Sequence, residues 1–230
     1  DYLSLLGVLN SSTACFWLKQ NSQRKTAAAM GGGMIDQPWS WNYEFTGTTL
    51  QDLPLSKALP LERGRALDTL AQEMSTQHVA TLIESESPTA DLLAAAEAVQ
   101  ASLRRQMITQ QEELDWEVYS SYGLINETLT CASEPPEVNL GERAFEIVLA
   151  RKVAAGEEST RWFERHGSTP ITEIPGHWPA DYRALVQRRL DAIASNPSVR
   201  LLERPEYKRR WASEPFAKQA DRALRSWLLD

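Results

Sequence analysis

The 230 residues predict a mainly helical protein: a long helical hairpin, a C-terminal helical domain, and a small β element near the N-terminus. Three observations carry this. Apolar residues recur at three- and four-residue steps through two long stretches, the spacing of one helix face. The last ninety residues hold three more such segments, separated by prolines. Strict alternation, the signature of a strand, is confined to Trp39, Trp41, Tyr43 and Phe45.

Taken in order, Tyr2 to Lys19 reads as one buried helix, with Leu5, Leu9 and Phe16 on related faces. A loop with Lys19, Arg24, Lys25 and Gly31-Gly32-Gly33 leads into the aromatic strand, which Gly47 and Pro54 punctuate. Leu61, Leu67, Leu70, Ala71 and Met74 give the first helix of the hairpin. Ser87-Pro88-Thr89 breaks it, and Thr89 is a suitable N-cap for a longer helix. That helix carries Leu92, Ala96, Val99, Leu103, Met107, Leu114 and Val118 as a coiled-coil-like seam, and Gly123 ends it. Pro135-Pro136 marks a linker. Beyond it, helices are expected over 141–155, at Trp162-Phe163, from Pro179 to Ala194, and over Phe216 to Leu229. The expected units are 1–55, the hairpin 56–130, the linker 131–140 and the helical domain 141–230.

Composition narrows the function. Hydrophobic residues make up 42% and charged residues 24%, which is globular and not disordered composition. A formal net charge of −7 excludes nucleic-acid binding through the overall field, while leaving local basic patches open. No apolar run is long enough for a membrane helix. Two cysteines make no disulfide framework and suit a cytoplasmic protein. Asp1 runs straight into apolar sequence without signal-peptide flanks, so the chain is expected to be part of a longer one.

Few residues have the spacing of a catalytic site. His78, His166 and His177 have no second ligand at metal spacing, and His166 beside Glu164 reads as a solvated loop histidine more readily than a general base. Gly31-Gly32-Gly33 lacks the lysine of a phosphate loop and reads as flexible chain. Glu112, Glu113 and Asp115 read as a solvated helix face. Two basic patches say more. Lys19, Arg24 and Lys25 occur without acids nearby and precede Trp39 and Trp41, a combination suited to contacting DNA phosphates and entering a groove, unless the aromatics form core. The later run of Arg204, Lys208, Arg209, Arg210 and Trp211 is interleaved with Glu203, Glu206 and Glu214 and reads as a salt-bridged surface.

The run from Leu5 to Gln20, with Leu9-Asn10-Ser11 inside it, resembles the late target-recognition region of large adenine-specific DNA methyltransferases. Tyr43 to Thr48 and Leu53-Pro54-Leu55 match the exit of that region, and Glu113 to Tyr119 followed by Tyr122-Gly123-Leu124 matches their C-terminal helices. The runs 141–151, 162–170 and 204–211 resemble the PglX family, the methyltransferases of type 2 BREX (phage growth limitation) defence systems. The resemblance implies a parent enzyme that uses S-adenosylmethionine and an Asn-Pro-Pro-Tyr motif to methylate adenine in double-stranded DNA. Glu134-Pro135-Pro136-Glu137 lacks both the asparagine and the aromatic of that motif. The expectation is therefore no catalytic, cofactor or metal residue in this chain, a methyltransferase domain upstream as partner, and DNA contact through Lys19, Arg24, Lys25, Trp39 and Trp41. The alternative is a helical module that docks other defence-system proteins.

Overall fold

A computed structural model describes residues 2–25, 37–211 and 213–229. Gly31-Gly32-Gly33 lies outside them. The architecture is mainly helical with one two-stranded antiparallel sheet.

The expected first helix is two, α1 (Tyr2–Leu9) and α2 (Ser12–Gln20). Ser11 causes the break. Its hydroxyl donates to the Val8 carbonyl at 2.6 Å and accepts from the Ala14 N–H at 3.2 Å, so the side chain takes backbone bonds that a continuous helix would use. The aromatic strand is also shorter than its alternation suggests. Pro38 fixes a 3-10 turn, Pro38–Ser40, that turns Trp39 inward. Pairing is left to β1 (Gln23–Arg24) and β2 (Tyr43–Glu44), with Gln23 opposite Glu44 and Arg24 opposite Tyr43.

A short α3 (Gly47–Gln51), capped by Thr46, leads to α4 (Leu61–Thr76), α5 (Val79–Ser85) and α6 (Ala90–Ser121). The Thr89 hydroxyl accepts from the Leu92 N–H at 3.1 Å and starts α6 where the sequence predicts. Arg63 donates to Gln110 at 2.7 Å and Gln100 to the Gln77 carbonyl at 2.6 Å, so α4 and α6 run antiparallel. Ala96, Leu103, Leu114 and Val118 are buried, whereas Val99 is 41% exposed. α1 crosses α4 at two glycines. A Cβ on Gly7 would stand 2.9 Å from the Pro60 carbonyl oxygen, and one on Gly64 would overlap the Leu3 carbonyl oxygen. The helices approach this closely only because neither carries a side chain at the crossing.

The chain continues through α7 (Ala144–Ala154), α8 (Trp162–His166), α9 (Ala180–Ser195), α10 (Pro197–Leu202), a 3-10 turn at Pro205–Tyr207, and α11 (Phe216–Leu229). One core joins Ile108, Trp116 and Tyr119 of α6 to Ile147, Tyr182, Leu190, Val199 and Trp211. A neighbouring cluster stacks Trp39, Phe145 and Trp162, and a third holds Val79 and Ile83 of α5 against Ala220 and Ala223 of α11. His166 is also interior and not the solvated loop residue expected. It lies 3.9 Å from the Trp162 ring, its Nδ1 is 2.7 Å from the Trp162 carbonyl, and burial lowers its pKa.

The acids of α6 depart furthest from expectation. Glu112, Glu113 and Asp115 do not face solvent; they are 3%, 0% and 2% exposed. Residues 111–116 of α6 are all buried, and each acid meets a donor from distant sequence. Asp115 accepts from the Ser12 N–H at 2.7 Å, the Ser12 hydroxyl at 2.6 Å and Lys208 Nζ at 2.9 Å. Glu113 accepts from Arg189 at 2.7 Å and the Cys131 N–H at 2.7 Å. Glu112 accepts from the Ala144 N–H at 3.3 Å and, within α6, from the Trp116 indole at 3.1 Å. Nearby, Arg143 and Glu146 pair at 2.8 Å. Burial alone would raise the Glu146 pKa, but the Arg143 guanidinium and the Trp162 indole hold it below the usual carboxylate range.

Among the described residues, buried Glu112, Glu113, Asp115, Glu146 and Glu203 face only three buried cations, Arg143, Arg189 and Lys208. Not every carboxyl can therefore be ionised at low cost. Glu203 is the one that yields. Burial pushes its pKa up to about 7, with Glu112 and Asp115 adding to the rise and Lys208 opposing it. Its Oε1 accepts from Tyr119 and Lys208, and its Oε2 has no partner. Burial would lower the Lys208 pKa, but the Asp115 and Glu203 carboxyls raise it and keep the ammonium charged.

Three outcomes follow. Gly64→Ala is expected to lower the urea midpoint, because overpacking of about 1–3 kcal/mol exceeds a helix-propensity gain of at most about 1 kcal/mol. Lys208→Met leaves Asp115 without its cation and is expected to cost about 3–5 kcal/mol in the same measurement. Glu203 has a folded pKa above its unfolded one, so the native state binds the extra proton. Its contribution to stability is complete below the ordinary carboxylate pKa of 4.5 and is lost as pH rises towards about 7. Glu203→Gln should remove that loss, so the variant gains on the wild type between pH 5 and 7 in paired unfolding curves.

Candidate nucleic-acid interface

The predicted contact residues lie where α2 passes into the small sheet, and the structure treats them differently. Lys19, in the last turn of α2, donates to the Glu206 carbonyl and stands over the Tyr43 and Tyr207 rings at 5.3 and 5.9 Å. Burial lowers its pKa and nearby Arg210 adds to the effect, against the opposing pull of Cys15 and Glu206. Lys19 is thus held to the protein and not displayed. Arg24, on β1, places its guanidinium 3.5 Å from the centre of the Trp41 ring. A guanidinium over an aromatic face keeps its in-plane donors free while its position is fixed. The next residue, Lys25, donates its backbone N–H to the Asn42 carbonyl at 3.0 Å and leaves its side chain exposed.

The two tryptophans part company. Trp39 is 6% exposed, donates to Gln37 at 2.7 Å and meets the Trp162 ring edge-on at 5.5 Å. It is a core residue. Trp41 is partly exposed, supports Arg24, and has a buried indole nitrogen with no hydrogen-bond partner. Beside it Tyr43 and Phe45 lie nearly parallel at 6.5 Å, and Phe45 is 53% exposed. The structure therefore brings Arg24, Lys25 and Trp41 together on one outward edge, holds Lys19 behind them, and turns Trp39 away. Among the described residues no group of His, Cys, Asp and Glu could hold a metal ion.

No local pattern in the chain indicates that the late basic run joins this surface. Phe16 meets Tyr207 edge-on at 5.2 Å, Gln20 donates to the Tyr207 hydroxyl at 3.2 Å, and Arg209 donates to Asn10 at 2.6 Å. These contacts lay residues 204–211 along α1 and α2. The run is only partly the salt-bridged surface expected. Arg204 pairs with Glu206 at 2.8 Å, but Lys208 points inward to Asp115 and Glu203. Arg210 forms no hydrogen bond or ion pair among the described residues, though it is close enough to act electrostatically on Lys19. A separation of almost 190 residues left no local pattern from which this meeting could be read.

A family described as a domain of unknown function (DUF7008) matches residues 107–230, from the buried half of α6 through α11. The adenine-specific methyltransferase PglX of Streptomyces coelicolor is 52% identical over 238 residues, which cover 100% of this chain and 20% of that protein. No solved structure matches. No helix among the described residues is long and apolar enough to cross a membrane. Spanning about a fifth of the methyltransferase it resembles, with the domain match covering its second half, the chain belongs to the DUF7008 family.

Proposed function

We propose that this chain is the C-terminal DNA-recognition and structural part of a site-specific adenine-N6 DNA methyltransferase in phage defence, acting in the cytoplasm. In this reading, the 1–55 region ends a target-recognition domain, and 56–130 and 141–230 form helical units joined through 131–140. S-adenosylmethionine binding and methyl transfer belong to another part of the polypeptide. The observation that carries the reading is the edge formed by Arg24, Lys25 and Trp41. The two cations there form no ion pair among the described residues, and one is braced on an aromatic ring. Phosphate contact needs charge that is not already neutralised, and a fixed guanidinium meets a phosphate with two parallel donors. Lys19 serves behind them as a positioning residue, holding the 204–211 segment through Glu206.

A second reading, a module that docks other defence-system proteins, draws on a different feature. Trp227, Leu228 and Leu229 at the end of α11 are 43%, 74% and 87% exposed. An apolar helix end of this kind suits a protein partner better than a polyanion.

The test is a titration of the full-length methyltransferase with one duplex at several salt concentrations. Arg24→Ala with Lys25→Ala is expected to flatten the plot of log affinity against log salt by roughly two units, whichever sequence is bound. Arg225→Ala, which removes a cation already paired with Asp221 at 2.9 Å, should leave the slope unchanged. Equal slopes for all three proteins would favour the docking reading. The chain alone, incubated with duplex DNA and labelled S-adenosylmethionine, is expected to transfer no methyl group. Transfer above blank would place the catalytic residues within it.

A further inference from the structure

Charged groups in this protein are paired with care wherever they are buried. Arg143, Arg189 and Lys208 each have a carboxylate within 3 Å. Arg104, half-buried, breaks that pattern, and Arg209, more exposed, also lacks a carboxylate partner. Arg104 donates to the Trp211 carbonyl and, at 2.9 Å, to the Ser213 hydroxyl; Arg209 donates to Asn10. All three acceptors are neutral. Burial lowers the pKa of both arginines, and no carboxylate opposes it. A partly desolvated cation with only neutral acceptors is unfavourable unless an anion completes it.

Both arginines border the same hollow. It has a volume of about 720 Å³, between α4, the first half of α6 and the segment that leads into α11. Arg210, free of hydrogen bonds and ion pairs among the described residues, forms part of the same wall, as does Trp211. Trp211 is 8% exposed, and its indole N–H has no hydrogen-bond partner. The Arg209 guanidinium stands 4.7 Å from that ring. Two acids also border the hollow. Glu214 is bound by Arg222 at 2.8 Å, and Glu97 is exposed on α6. Three arginines thus line one solvent-filled space, with one unpaired carboxylate at its edge.

We propose that this hollow is a phosphate-binding site. Arg104 and Arg210 contact the phosphate oxygens, with Arg209 and the Trp211 indole lining it. The assignment is tested with variants other than those of the Arg24–Lys25 edge, which the 204–211 segment also flanks. Phosphate chemistry has two sources here: a free nucleotide, or the backbone of bound DNA.

The experiment measures the melting temperature of the full-length methyltransferase against inorganic phosphate at constant ionic strength. The wild type is expected to gain stability with phosphate, as any native-state ligand requires. Arg104→Gln and Arg210→Gln are each expected to lose at least half of that gain. Arg210 makes no hydrogen bond or ion pair that folding could miss, so its variant separates ligand loss from misfolding. An equal rise in all three proteins would reflect general exclusion of phosphate from the surface and overturns the site; so does no rise at all. Titration with AMP and with a short duplex then identifies the source. AMP binding that the variants lose, with duplex affinity unchanged, assigns a free nucleotide. A salt slope for the duplex flattened by roughly one unit in Arg210→Gln, without AMP binding, assigns the DNA backbone.

Discussion

Asp115 sits at the middle of the molecule without contact to solvent, and three residues from three parts of the chain supply its hydrogen bonds. Ser12 gives it two bonds at the start of α2, Gln111 a longer one at 3.4 Å from within α6, and Lys208 an ammonium. A carboxylate removed from water costs several kcal/mol unless its oxygens are satisfied this fully. The helix that delivers Ser12 and the segment that delivers Lys208 are thus fixed relative to α6 by one side chain. The short spacing from Ser11, which caps α2, to Ser12, which turns the new N-terminus onto Asp115, explains why α1 and α2 are separate. An unbroken helix would have no free N–H groups to offer there. The basic edge inherits its position from this arrangement, because α2 leads into β1 only a few residues later.

The periodic parts of the fold were legible in the sequence. Thr89 caps α6, Gly123 ends it at a φ of 68°, and Pro179 directly precedes α9. Local chemistry decides such features, and local chemistry is what a sequence displays. Glu112, Glu113 and Asp115 show the limit. Three acids on one helix look like a wet face until Arg189 and Lys208 arrive from 76 and 93 residues away. Trp39 misleads for another reason. Its alternation with Trp41 is real, but Pro38 changes the backbone before a strand can form. Of the five contact residues expected, the structure sets Arg24, Lys25 and Trp41 on one edge, because the register opposite Tyr43 and Asn42 orders the chain there.

The net charge of −7 also reads differently once the interior is known. Five acids and three bases among the described residues are buried and engaged with one another, so they contribute little to the field outside. The surface seen by a polyanion is less acidic than the composition implies, and Arg24, Lys25 and Arg210, near α2, β1 and residues 204–211, are among the cations without an ion pair in the described residues. Composition excludes a uniformly basic protein. It does not set the sign of the potential at any one edge.

The two ends of α6 live under different conditions. Its second half is enclosed by α2, α7, α9 and the 204–211 segment, whereas its first half has cover on one side only. The α5–α11 pair, resting on that first half, is held by four small or branched side chains, Val79, Ile83, Ala220 and Ala223, with Leu93 and Phe216 beside them. Such a contact is expected to open at a lower free energy than the central core, which would make the pair a separate cooperative unit. Amide hydrogens along this single helix would then exchange on two timescales, fast near Ala90 and slow near Trp116. The last helix of the chain could swing away on its tether while the centre stayed closed.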